Sequence, residues 1–150
     1  MPQRKTPYGD VFKAQEPKLP FLTTEAIRAD VLECFKYQYA GRDIEIVTET
    51  EEFTSVCPFS GLPDFGRLTI AYVPDKLCVE LRSLKYYLVS FRNVGIFYEH
   101  ICNRILDDLA RLTRPKSMTV TCEFTARGGL ATTIRAEYKA RATIRKTKKH

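Results

Sequence analysis

The chain has only two histidines, His100 and His150, and no C-x-x-C pair among its five cysteines. A structural or catalytic zinc needs several thiolate or imidazole ligands at short, paired spacings, and these residues do not frame such a set. No metal site is expected. The cysteines, Cys34, Cys57, Cys78, Cys102 and Cys122, are odd in number and widely spaced. They do not read as a disulfide framework, and the expectation is free thiols in a reducing cytoplasm. No stretch approaches the roughly 18 apolar residues that suggest a membrane span. The opening MPQRKTPYGD has no apolar core of a secretory leader, so a cytoplasmic location without membrane contact is expected.

A basic face is also missing, although the formal net charge is +6. Six of the 24 Lys and Arg residues lie in 139–150, where no acid occurs, leaving 18 basic against 18 acidic residues in the rest. The excess charge is therefore a terminal tail, expected to be solvated and disordered, and direct nucleic-acid binding is not required. With 150 residues, 44% hydrophobic and 28% charged, the chain suits one soluble domain with a proper core. The expected division is an irregular lead-in at 1–22, carrying Pro2, Pro7, Pro17 and Pro20, a single catalytic domain at 23–138, and the basic tail at 139–150.

The patterning points to an α+β fold with a mostly antiparallel sheet. The stretch TTEAIRADVLECF reads as a short helix capped by Thr23 or Thr24. Ile44, Ile46, Thr48 and Thr50 alternate with polar residues as in a half-buried strand, which ends at Cys57-Pro58. SGLPD is a turn, GRLTIAYVPDK a second strand with Leu68, Ile70 and Tyr72 on one face, and LCVEL a third. SLKYYLVSF turns helical. A long helix is predicted over 94–112, with Phe97, Ile101, Ile105 and Leu109 as its apolar face and Pro115 as its stop. Two further β-rich runs meet at Arg127-Gly128-Gly129, a hairpin signal.

Three features carry chemistry. In CPFSGLPD, Cys57 closes a strand and Asp64 follows in a Gly/Pro loop that can bring a carboxylate near a thiol. A thiolate attacks electrophilic carbon, and a carboxylate can take and return the proton. The plainer reading is a buried cysteine and a solvated aspartate. In VELRSLKYY, Arg82, Ser83 and Lys85 offer two cations and a hydroxyl to a phosphate monoester, with Glu80 just before them; a solvated amphipathic stretch explains the same pattern. In FYEH and ARGG, Glu99 suits the first turn of a helix for dipole reasons alone. Arg127 beside Gly128 is either a phosphate anchor with close backbone approach or a charge at a hairpin tip.

Together, EFTSVCPFSGLPDF, VELRSLKYYLVSFRN and FTARGG resemble the unimodular 7-cyano-7-deazaguanine reductases over about residues 30–138. The resemblance implies the tunnelling fold, an antiparallel sheet with helices packed on one face. It also implies a ring-shaped homo-oligomer, two rings stacked, with sites between subunits. The implied activity converts the nitrile of 7-cyano-7-deazaguanine to an aminomethyl group with two NADPH, in queuosine biosynthesis for tRNA. Cys57 matches the nucleophile that forms a thioimide, and Asp64 the residue that manages protons. Glu80 and Glu99 match acids that hold the deazapurine. Arg82, Ser83, Lys85, Arg127 and Gly128 match cofactor-binding positions. Two departures stand out: Arg82 replaces a usual lysine, and Tyr98, beside the substrate, replaces a histidine of several members. The alternatives are an amidinotransferase that acts on the same nitrile base within tRNA but lacks the NADPH segment, and a non-catalytic binding module of the same fold. A zinc-dependent cyclohydrolase of that fold is disfavoured by the missing ligand set.

Overall fold

The computed structural model describes residues 19–142. The expectations for residues 1–18 and 143–150, most of the lead-in and of the basic tail, lie outside the described residues. In chain order the elements are β1 (Cys34–Lys36), β2 (Ile46–Val56), β3 (Pro63–Val73), β4 (Leu77–Val79), α1 (Leu81–Val89), α2 (Tyr98–Thr113), β5 (Ser117–Arg127) and β6 (Leu130–Lys139). The class is α+β, as expected.

Two antiparallel hairpins, β2–β3 and β5–β6, join through a β3–β5 ladder into one sheet of order β2-β3-β5-β6. Period-two alternation sorts its side chains. Leu68, Ile70 and Tyr72 of β3 and Met118, Val120, Cys122 and Phe124 of β5 face one side and are buried. The opposite face is polar, with Arg67 paired to Glu49 at 3.1 Å and Arg135 to Glu137 at 2.9 Å. Helix α2 lies across β5 and β6. It inserts Ile101, Ile105 and Leu109, all fully buried, each worth about 1.5–3 kcal/mol of apolar burial. Pro115 stops this helix as expected, because a proline disfavours helical backbone in the residue before it. Arg114 turns left-handed at φ 46° and donates its N–H to the Ala110 carbonyl.

Four local expectations are corrected. Residues 23–35 do not form a helix capped by Thr23 or Thr24. They make two short 3-10 turns, Thr24–Ala26 and Ala29–Val31, with no side-chain cap, and Cys34 then opens β1 against β4. The cause is distant: Ser90 Oγ accepts from the Arg28 N–H at 3.0 Å and Ser83 Oγ from the Glu33 N–H at 2.9 Å. Strand β3 starts at Pro63, so Asp64 belongs to a strand and not to the preceding loop. The long helix starts at Tyr98, and Phe97 is exposed and not part of the buried face. Residues 94 and 95 instead bridge to Leu22 and Val56 in extended form. Glu80 ends no strand; it is the N-cap of α1.

The two helices are locked by one buried polar cluster. The Tyr87 hydroxyl of α1 donates to Asp108 Oδ2 of α2 at 2.7 Å, and Arg104 Nε donates to the same oxygen at 2.7 Å. Removing Asp108 leaves both donors unpaired in or beside the core. Asp108→Ala should therefore lower the unfolding free energy by about 3 kcal/mol, whereas Tyr87→Phe should cost about 1 kcal/mol. Urea unfolding of both variants checks this; equal costs would contradict the cluster.

Candidate active site

Strand pairing, not a folded-back loop, brings the cysteine and the aspartate together. The β2–β3 ladder sets Ser55 opposite Asp64 and Val56 opposite Pro63, and Cys57 follows directly. The loop from Cys57 to Leu62 is closed by Cys57 N–H to the Leu62 carbonyl and Gly61 N–H to the Cys57 carbonyl, both 2.9 Å. It is also pinned from outside. Leu19 N–H donates to the Ser60 carbonyl at 2.8 Å. Gly61, at φ 72°, lies so close to Leu19 that a Cβ there would stand 2.3 Å from the Leu19 carbonyl oxygen. Beneath, the Val56 N–H donates to the Val94 carbonyl and the Ile96 N–H to the Val56 carbonyl.

Asp64 is buried, at 4% exposure, and points to the helix side of the sheet. The Tyr98 hydroxyl donates to its Oδ1 at 2.9 Å, and Arg127 Nη1 lies 2.8 Å from that same oxygen. Among the described residues, Oδ2 receives no side-chain donor. Tyr98 is held flat on Phe124, ring centroids 3.8 Å apart and 5° from parallel. Burial first, and then the hydrogen bond to Asp64, pushes the Tyr98 hydroxyl up to about 12, so it serves as a donor to the carboxylate. The Cys57 thiol is half-buried. Burial alone raises it, but the Ser60 N–H and hydroxyl, the Phe59 N–H and the Arg127 guanidinium outweigh burial and bring it below the ordinary thiol value. A thiol lowered in this way is more readily present as the thiolate. By contrast, burial raises the Cys78 thiol.

The structure thus gathers four of the expected residues, Cys57, Asp64, Tyr98 and Arg127. It does not bring Glu80, Arg82, Ser83 or Lys85 into hydrogen bonds with them. Both Glu80 carboxylate oxygens accept the first N–H groups of α1, from Arg82 at 2.8 Å and Ser83 at 2.7 Å. The Ser83 hydroxyl is buried and donates to the Glu80 carbonyl at 2.8 Å while receiving the Glu33 N–H. Both side chains are spent on holding the start of the helix. Arg82 and Lys85 are exposed, and Lys85 lines a groove of about 540 Å³ between α1 and the β2 edge of the sheet. Phe53, Leu68, Leu84 and Leu88 make its apolar walls, and Arg92 adds a second cation. Glu99 is exposed in the first turn of α2, and its carboxylate has no partner among the described residues. Gly128 and Gly129, at φ 56° and 80°, form the hairpin turn after Arg127.

Sequence reasoning missed three features of this site. The hydroxyl of Ser55, beside Asp64, is buried without a hydrogen-bond partner among the described residues. Phe59 and Phe97 form an exposed edge-to-face pair, centroids 5.7 Å apart, over the Cys57 loop and the start of α2. Residues 19–22, expected to be irregular, strap the loop in place. Only the C-P-F-S-G run signalled Phe59; the others depend on contacts distant in sequence.

Because its thiol is lowered and partly open, Cys57 should be carbamidomethylated by iodoacetamide at lower pH than the buried Cys78. Its thiolate exists above its own depressed pKa, so its labelling should plateau while that of Cys78 is still rising. Peptide mapping across a pH series checks the order; Cys78 reacting first would contradict it.

A family model described as QueF, QueF-like protein, matches residues 63–143. The NADPH-dependent 7-cyano-7-deazaguanine reductase of Chloroherpeton thalassium is 54% identical over 114 residues, 76% of this chain and 98% of that protein. The protein of the same name from Chlorobaculum tepidum is 55% identical over 109 residues, 73% and 93% of the two chains. Among solved structures, an apo archaeosine synthase QueF-Like superposes with a TM-score of 0.57 at 21% identity, over 67% of this chain and 96% of that one. That likeness speaks for the fold. The family match across more than half of the chain, and relatives more than half identical over about three quarters of it, show that this chain belongs to the QueF-like family.

Proposed function

We propose that the chain reduces the nitrile of 7-cyano-7-deazaguanine to the primary amine with two NADPH, through a covalent thioimide on Cys57. The observation that carries this reading is the Cys57–Asp64–Tyr98–Arg127 cluster: a thiol below its ordinary value beside a buried carboxylate. In the covalent step the Cys57 sulfur bonds to the nitrile carbon, one π bond of the C≡N group opens, and the thiol proton passes by way of Asp64 to the nitrile nitrogen. A tethered thioimide keeps the partly reduced carbon from escaping between the two reductions. The exposed Phe59–Phe97 pair offers an apolar face on which a flat deazapurine can stack. Glu99 is free to accept its N–H groups. Glu80 could do so only by releasing its cap, which makes Glu99 the better of the two acids.

Bound NADPH supplies the hydrides. The residues present fit its phosphates: Arg82 and Lys85 are exposed cations at the start of α1, and Lys85 stands on a groove of a size typical for small-molecule sites. The chain assembles into a ring, two rings stacking, with sites between subunits. Support comes from the sheet, whose edges β2 and β6 both lack a partner strand among the described residues. They have antiparallel directions that let the β6 of one copy continue the ladder onto the β2 of the next. The reaction takes place in the cytoplasm on the free base, with tRNA the later destination. No helix among the described residues is long and apolar enough to cross a membrane. The fold likeness alone would also fit an amidinotransferase. The sequence relatives and the cations of α1 favour the reductase.

Loss of NADPH absorbance on adding 7-cyano-7-deazaguanine tests the reading, with two NADPH expected per base. Cys57→Ala should abolish turnover, and Asp64→Asn should slow it by at least about a hundredfold, the usual scale of general acid–base help. Turnover by Cys57→Ala, or none by the wild type, would overturn the proposal. For the cofactor, Lys85→Ala should raise the KM for NADPH about tenfold through loss of one charge-assisted contact, with little change in kcat. An unchanged KM would remove Lys85 from the cofactor site.

A further inference from the structure

Arg127 is the last residue of β5, and its position is set by two backbone devices. The β5–β6 register shifts between Phe124 and Arg127, a bulge that re-aims the strand end. The Gly128-Gly129 turn, at positive φ in both residues, then ends the strand and sends the chain back. The result is a guanidinium directed at the buried Asp64 carboxylate, with Nη1 2.8 Å from Oδ1. The Arg127 side chain is 42% exposed and that of Asp64 3%. The cation thus reaches inward from the surface. A guanidinium paired with a buried carboxylate is not a free phosphate anchor, because a phosphate would have to compete with a carboxylate that has no other cationic partner among the described residues.

From this geometry we infer that Arg127 is a residue of the covalent step. It balances the charge of the Asp64 carboxylate, turns Oδ2 toward the reacting thiol, and stabilises negative charge on the Cys57 sulfur before attack. Cofactor phosphates then fall to the exposed cations of the α1 side, Arg82 and Lys85, with Arg92 beside Lys85 on the same groove. The charged and titratable groups that meet at this point come from four elements: Cys57 after β2, Asp64 of β3, Tyr98 of α2 and Arg127 of β5. Arg127 is the one cation among them. Among the described residues, no other cation pairs with the Asp64 carboxylate. The inference rests on Cys57 being the nucleophile of the reaction proposed above.

The test compares wild type, Arg127→Met and Arg127→Lys by the pH profile of iodoacetamide labelling at Cys57, without nitrile or NADPH. In Arg127→Met the midpoint should move up, leaving less thiolate at any pH below it. Arg127→Lys should recover part of the shift. In steady state, Arg127→Met should lower kcat at least tenfold while the KM for NADPH changes less than threefold. Superimposable labelling profiles for wild type and Arg127→Met would overturn the inference. So would a tenfold rise in the KM for NADPH with kcat retained, the behaviour of a phosphate anchor. The labelling needs no substrate. A wild type that fails to reduce the nitrile would therefore sink the reductase reading and still leave the labelling shift to be read. Should Arg127→Met fold poorly, the Arg127→Lys profile carries the comparison.

Discussion

A carboxylate buried to 4% exposure is costly unless its charge is matched and its lone pairs are used. Asp64 meets that condition only because three parts of the fold converge on it. The β2–β3 register turns it to the helix side next to Ser55. The first residue of α2 brings the Tyr98 hydroxyl, and the bulged end of β5 brings Arg127. A one-residue slip of β3 would throw Asp64 to the polar face of the sheet and leave Tyr98 and Arg127 facing nothing. The need to pair this one group therefore constrains strand register, helix start and hairpin geometry at once.

The rest of the molecule holds those three parts still. Ile101, Ile105 and Leu109 seat α2 on β5 and β6, and the Tyr87–Asp108–Arg104 cluster fixes α1 to it. Gly95 lets the Phe21 ring lie where a Cβ would stand 2.3 Å away, so residues 19–22 can run alongside the Cys57 loop. The Phe59–Phe97 pair gives the Cys57 loop an aromatic outer face, while Lys85 and Arg92 line a separate groove beside α1.

Much of this was legible in the sequence, and the failures have a common cause. Alternation located β2 and β3, and the Arg127-Gly128-Gly129 run marked its hairpin. What local pattern cannot see is a partner far along the chain. Ile27 and Val31 are spaced like a helix face. Yet Arg28 bonds Ser90 and Glu33 bonds Ser83, and the backbone follows those bonds into 3-10 turns. Phe97 continues the four-residue apolar rhythm of α2 one turn too early, because the preceding backbone is held extended by Leu22 and Val56. Asp64 read as a loop residue because Gly61 and Pro63 flank it, whereas proline is tolerated as the first residue of a strand. For Glu80 and Ser83, residue type suited ligand binding, and only the structure shows both engaged in starting α1.

The central claim is that Cys57 adds covalently to the nitrile. The most direct measurement is the intact mass of the protein after incubation with 7-cyano-7-deazaguanine and no NADPH. Addition has no leaving group, so the account predicts a gain of the full mass of the base, mapping to the Cys57 peptide. No mass gain, or an adduct on Cys34, Cys78, Cys102 or Cys122, would contradict it.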